Sequence, residues 1–202
     1  MLLTLPLWAE TIALSDFTAE GLSGWTEKSF YGQTRYTLVE RNGGKVLAAE
    51  SQNSASALFK KIRVDLEKTP YLNWSWLVVN NLGDINERQK KGDDYSARVY
   101  VVISGGVFFW RARAINYVWS SNESKETTWL NAYTDNARMI ALESGREFLG
   151  QWRTEKRNIR ADLRQQFGED VRYIDGIAVM TDTDDSHGKA LGYYGDLYFS
   201  SE

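Results

Sequence analysis

The segment GIAVMTDTDDSHGKALGYYGDLYF (176–199) decides the fold. An apolar run, GIAVM, opens into the acidic TDTDDSHG and returns as GYYGDLYF. Apolar residues recur there with period two: Ile177 and Val179 share one face, and Leu197 and Phe199 share one. That is the pattern of half-buried strands. Asp182, Asp184, Asp185 and Asp196 collect where such strands would meet solvent. Strands around an acidic turn are how a β-sandwich closes.

Upstream the same signals repeat. YTLVE and KVLAAES flank RNGG, and the Asn-Gly dipeptide predicts a tight hairpin because both turn residues accept positive φ. SALFKKIRVDL and YLNWSWLVVN follow and read as a further pair broken at Thr69-Pro70, with Trp74 and Trp76 facing the core. GDINERQKKGDD (83–94) lacks apolar periodicity and reads as a solvated loop. YSARVYVVI puts Ala97, Val99, Val101 and Ile103 on a core face. VFFWRARAINYVW, TWLNAYT, ARMIALES and QWRTEKRNI supply more strands. Only RADLRQQF (160–167) reads as a helix, with Leu163 and Phe167 four apart and a glycine after it. Many short strands between turn signals predict an all-β fold, a two-sheet jelly-roll β-sandwich with one short helix.

Composition narrows the function classes. A net charge of -3, with 24 basic and 27 acidic residues interspersed, gives no footprint for nucleic acid. The absence of Cys removes disulfides, thiol catalysis and thiolate metal sites. MLLTLPLWAE reads as the tail of a secretory leader ending at a small residue, Ala9, although it has no basic n-region; the other reading is an apolar strand. The leader reading gives residues 1–13 as leader, 14–202 as a single domain, and a periplasmic or extracellular location. No run approaches the roughly 20 apolar residues of a bilayer span, so the chain is expected not to cross a membrane.

Six strings in order resemble domain-of-unknown-function family 3047: GDDYSARVYVV (92–102), ARAINYVWSS (112–121), ARMIALESG (137–145), RTEKRNI (153–159), AVMTDTDDS (178–186) and GYYGDLYF (192–199). The resemblance spans roughly residues 14 to 200 and implies a bacterial, commonly exported protein with no established activity. The layout is also similar to galactose-binding-like carbohydrate-binding jelly rolls. Asp16-Phe17 precedes Gly24-Trp25, Trp152 precedes a late strand, and the last strand bears Asp196. That likeness implies a saccharide ligand and a structural calcium joining Asp16 to Asp196.

The residues leave several chemistries open. One histidine, His187, without a G-x-S-x-G elbow, supports neither a Ser-His-Asp triad nor a zinc site. Asp182 and Asp184 in TDTDDS offer oxygen ligands for calcium, or they cap turns. A glycosidase would need two carboxyls about 5 to 10 Å apart, for which Glu143, Glu155, Asp182 and Asp184 are candidates. Arg98, Tyr100, Arg111, Arg113, Tyr117 and Trp119 form a mixed face. Planar donors and flat rings suit a groove for a polar ring, and they equally suit an outer sheet face where Arg stacks on aromatics. The expected function is non-catalytic binding of a saccharide or other polar ligand. The alternatives are a carboxylate-dependent polysaccharide hydrolase or lyase, and a structural envelope protein.

Overall fold

Two seven-stranded sheets pack face to face, and the period-two alternation decides which side chains enter the space between them. The computed structural model describes residues 9–41, 43–106 and 111–202. In the first sheet β1 (Thr11–Ala13), β14 (Tyr198–Ser200), β6 (Tyr71–Val78), β13 (Lys189–Tyr194), β4 (Gly44–Gln52) and β3 (Arg35–Arg41) are hydrogen-bonded in that order, with β14 and β13 sharing one edge of β6. β11 (Arg153–Asn158) pairs with the opposite edge of β6. The second sheet runs β2 (Thr26–Tyr31), β5 (Ala55–Asp65), β12 (Tyr173–Asp182), β7 (Arg98–Ile103), β8 (Arg113–Ser120), β10 (Ala137–Ser144), β9 (Thr128–Leu130). Only β8 and β10 pair in parallel among the described residues.

The opening segment behaves as a crossing between sheets. GIAVM belongs to β12 in the second sheet, the acidic turn crosses over, and GYYGDLYF supplies β13 and β14 of the first. Gly195 makes the break between those two. Its N–H donates to the Ser75 carbonyl at 2.9 Å, and a Cβ there would lie 2.3 Å from Ser75 Oγ, so a larger residue would have to turn that hydroxyl away. The expected hairpin is present as the β3–β4 pair, closing at Arg41 opposite Gly44; Asn42 lies outside the described residues. The helix α1 (Ile159–Phe167) starts one residue earlier than expected. Asn158 caps it by accepting the Ala161 N–H at 3.0 Å, and Gly168 ends it at φ 71°.

Two expectations are corrected. β5 and β6 do not pair; they lie in different sheets, because the Thr69-Pro70 break carries the chain across the core rather than back along one sheet. The 83–94 segment is not simply solvated, since Glu87, Asp93 and Asp94 are buried. Glu87 accepts the Ser121 N–H at 2.7 Å and the Ser120 hydroxyl, which pins the segment to the end of β8. The VFFW reading falls on 107–110 and most of the leader reading, 1–13, on 1–8, outside the described residues; Thr11–Ala13 at the end of that leader form β1, paired with β14.

The main apolar cluster lies between the sheets, with members from Leu14 to Phe199 drawn from both. Its centre is a row of rings. Tyr117 of β8 lies 5.5 Å from Trp74 of β6, Trp74 lies 5.5 Å from Trp76 at 89°, and Trp76 lies 6.2 Å from Trp119 of β8. The row therefore joins one sheet to the other and back. Edge-to-face and tilted contacts of this kind add to the area that each ring buries. Trp119→Ala is expected to cost about 3 to 5 kcal/mol in urea denaturation, the loss for a core aromatic; a loss under about 1 kcal/mol would mark Trp119 as a surface residue.

Candidate binding cleft

The outer face of the second sheet carries the side chains that alternate with the core. Register places Asp182 beside Ala55, Met180 beside both Ala57 and Arg98, and Tyr100 between Ala178 and Asn116. Small residues at Ala55 and Ala137 leave room above the sheet, and loops raise walls around it. The result is a cleft of about 470 Å³.

Arg98 is the hub of the floor. It is 4% exposed, and its Nε donates to Asp182 Oδ1 at 2.8 Å while Nη2 donates to Asp182 Oδ2 and to the Asp93 carbonyl. Nη1 reaches the Tyr100 hydroxyl at 3.3 Å and lies 3.6 Å from Asp93 Oδ2. The Tyr95 ring stacks under the guanidinium at 4.2 Å. Asn131 Nδ2 donates to both Asp93 oxygens, at 3.0 and 2.9 Å. Against this saturated network one group stands apart: Asn116, 1% exposed, lines the cleft with an Oδ1 that has no partner.

The mouth is aromatic. Phe30 is 60% exposed and sits where a bulge between Ser29 and Tyr31 interrupts the β2–β5 register; Tyr133 is 54% exposed, and its hydroxyl donates to Asp185 Oδ1 at 2.6 Å. Burial pushes the carboxyls of Asp182, Asp93 and Asp184 above their ordinary range. Arg98 opposes the shift at Asp182 and Asp93, whereas Asp94 and Asp185 add to it at Asp184.

The six residues of the mixed face are divided among three places. Arg98 and Tyr100 line the cleft. Arg111 and Arg113 line a separate recess with Asn136 and Glu169, where Arg113 pairs with Glu169 at 2.9 Å. Tyr117 and Trp119 are corrected outright as ligand-facing residues: they are 0% and 2% exposed, on the opposite face of the same sheet. The outward residue opposite Tyr100 is Asn116. Phe30, Asp93, Asn131 and Tyr133 come from loops and an edge, where strand periodicity carries no signal.

Asp16, Asp182, Asp184 and Asp196 do not form one metal site. Asp182 is held by Arg98. Asp16 accepts the Ala19 N–H and Asp196 the Phe17 N–H, each at 2.8 Å. The six residues of β13 separate Asp184 from Asp196, about 20 Å of strand. The carboxyls that do gather are those of Asp94, Asp184 and Asp185, whose oxygens lie within 4.8 Å of one another. Asp94 already accepts the backbone N–H groups of Asp185 and Ser186. His187 is exposed, with Nδ1 2.7 Å from Asn53 Oδ1.

Glu143 and Glu155 lie away from the cleft. Glu143 pairs with Arg153 at 2.9 Å and Lys125 at 3.2 Å, and Glu155 accepts the Trp76 indole N–H at 3.2 Å. Burial, then the nearby Glu143, pushes Glu155 up to about 7.

Residues 23–198 match the family described as Protein of unknown function (DUF3047). The chain belongs to that family. No curated protein matches this DUF3047 chain in sequence. Among solved structures it is similar to the family 30 carbohydrate-binding module of the cellulosomal cellulase Cel9D-Cel44B of Clostridium thermocellum, at 10% identity over 89% of this chain and 92% of that one, TM-score 0.52. It is similar also to the cellulose induced protein Cip1, at 10% identity over 95% and 97%, TM-score 0.52. The family 11 module of Lic26A-Cel5E of Clostridium thermocellum aligns at 11% identity over 94% of each chain, TM-score 0.48. The fold is thus the β-sandwich of carbohydrate-binding modules, and the likeness extends no further than the fold.

The Glu155 shift has a sign that can be measured. A carboxyl whose folded pKa is near 7 rather than 4.5 leaves stability intact below about pH 4.5, lowers it as the pH rises to 7, and has no further effect above. Glu155→Gln removes that slope. Urea denaturation is expected to show the variant more stable at pH 8 by up to about 3 kcal/mol, with the gap closing at pH 4; parallel curves for the two proteins would contradict the shift.

Proposed function

We propose that the outer cleft of the second sheet binds a saccharide chain without cleaving it. The carrying observation is the pairing of exposed rings at the mouth, Phe30 and Tyr133, with an unpartnered amide on the floor, Asn116. A sugar ring presents an apolar face for stacking and hydroxyls that both donate and accept. Exposed aromatic rings satisfy the first, and the Asn116 amide answers the second. The floor network supports the reading because its groups are already fixed by one another, so little ordering remains to oppose binding. A periplasmic or extracellular location is part of the same reading. No described helix is long and apolar enough to cross a membrane.

A second reading, carboxylate-assisted hydrolysis, draws on the raised Asp93 and Asp184 carboxyls in the same cleft. Asp93 is occupied by Asn131 and Arg98, which favours the binder. Release of reducing ends from a bound polysaccharide would decide for the hydrolase.

For the ligand that a glycan array identifies, Phe30→Ala and Tyr133→Ala are each expected to weaken binding about tenfold, equal to about 1.4 kcal/mol, in calorimetric titration. Their melting temperatures should stay close to that of the parent, because both rings are exposed. Unchanged affinity in both variants would contradict the proposed platform.

A further inference from the structure

The cleft's hydrogen-bonding inventory is lopsided. Most of its donors are spent on one another: Arg98 on Asp182, Asp93 and Tyr100; Asn131 on Asp93; the Tyr100 hydroxyl on Met180 Sδ at 3.2 Å; the Tyr133 hydroxyl on Asp185; the Asn116 Nδ2 and the Thr134 hydroxyl are the exceptions. Among acceptors, Asn116 Oδ1 is unpartnered, the second oxygen of Asp185 is open, and the Asp184 carboxyl takes only its own backbone N–H. The charges lean the same way. Asp93, Asp182, Asp184 and Asp185 line the cleft, Asp94 lies directly behind it, and against these five stand Arg98 and, at the mouth, Lys90. Lys90 Nζ lies 5.1 Å from the centre of the Tyr133 ring, so this ring already accepts an ammonium on its face.

Resting on the saccharide reading above, we propose that the ligand is an amino sugar, a glucosamine-containing chain whose ammonium is received by Asp184 and Asp185. An ammonium brings three donors and no acceptor, which is the complement of what the cleft leaves unsatisfied. It also offsets the mutual repulsion of Asp94, Asp184 and Asp185, where a neutral hydroxyl gives only a hydrogen bond. A uronate would add a further negative charge to a cleft with an excess of them and is rejected. Asn116, buried and unpartnered, takes a ring hydroxyl or a second amine from below. Burial, then the neighbouring Asp94 and Asp185, raises the Asp184 carboxyl, and the second of these causes fits a site for a cation.

Four hexasaccharides with one β-1,4 backbone separate the possibilities: those of glucose, glucosamine, N-acetylglucosamine and glucuronate, titrated calorimetrically at about pH 5.5, where the weakly basic amine of a glucosamine chain is mostly protonated. The glucosamine hexamer is expected to bind about tenfold tighter than the glucose hexamer at low salt, and high salt should narrow the gap. Asp184→Asn, checked for an unchanged melting temperature, should bring the glucosamine affinity down toward that of glucose. If the glucose, N-acetylglucosamine or glucuronate hexamer binds as well as the glucosamine hexamer, the amine preference is overturned while the saccharide reading stands. Binding by none of the four overturns both.

Discussion

The cleft depends on one buried ion pair. Arg98 of β7 and Asp182 of β12 face outward from adjacent strands, yet both are nearly sealed from water, at 4% and 2% exposure. Neither charge is tolerable there without the other, and removing one partner of such a pair typically costs about 3 to 5 kcal/mol. The pair also recruits its surroundings. Satisfying the rest of the guanidinium takes the Asp93 carbonyl and the Tyr100 hydroxyl, and Asp93 in turn holds Asn131. Two loops distant in sequence are thereby fixed to each other over the outer face of the sheet.

That electrostatic demand and the apolar core are two faces of the same strands. β7 sends Val99 and Val101 inward and Arg98 and Tyr100 outward, and β8 sends Tyr117 and Trp119 inward and Asn116 outward. The tryptophan row between the sheets thus sets the register that delivers Asn116 to the cleft floor. Glu143 and Glu155 illustrate a different use of acids. They are covered by Arg153, Lys125 and the Trp76 indole, with no role assigned in the cleft.

Strand identity was legible in the sequence because alternation is local. The same pattern gave the inward faces of β7 and β12 and the Asn-Gly hairpin. Ring-bearing faces were ambiguous for a physical reason: tryptophan and tyrosine serve a core and a binding platform equally well, and only pairing decides. Tyr100 beside Asn116 is information about two strands at once, and neither strand alone contains it. The 83–94 segment misled for a related reason. Its acids look solvated until their partners are known, and Ser120, Asn131 and the backbone of Asp185 lie roughly 30 to 90 residues away. The aromatic mouth was hidden because Phe30 sits at a bulge and Tyr133 in a loop.

The central claim is that saccharides enter the outer cleft and touch the Asn116 amide. The direct measurement is a heteronuclear NMR titration of the labelled protein with the glucosamine hexamer, following side-chain amides and indoles together. The account predicts shifts of the Asn116 side-chain amide and of the backbone amides of Tyr133, Asp184 and Asp185, while the Trp74 and Trp119 indole signals stay in place. Shifts that spare Asn116 and Tyr133 and gather at the Arg111 and Arg113 recess or on the outer face of the first sheet would contradict it.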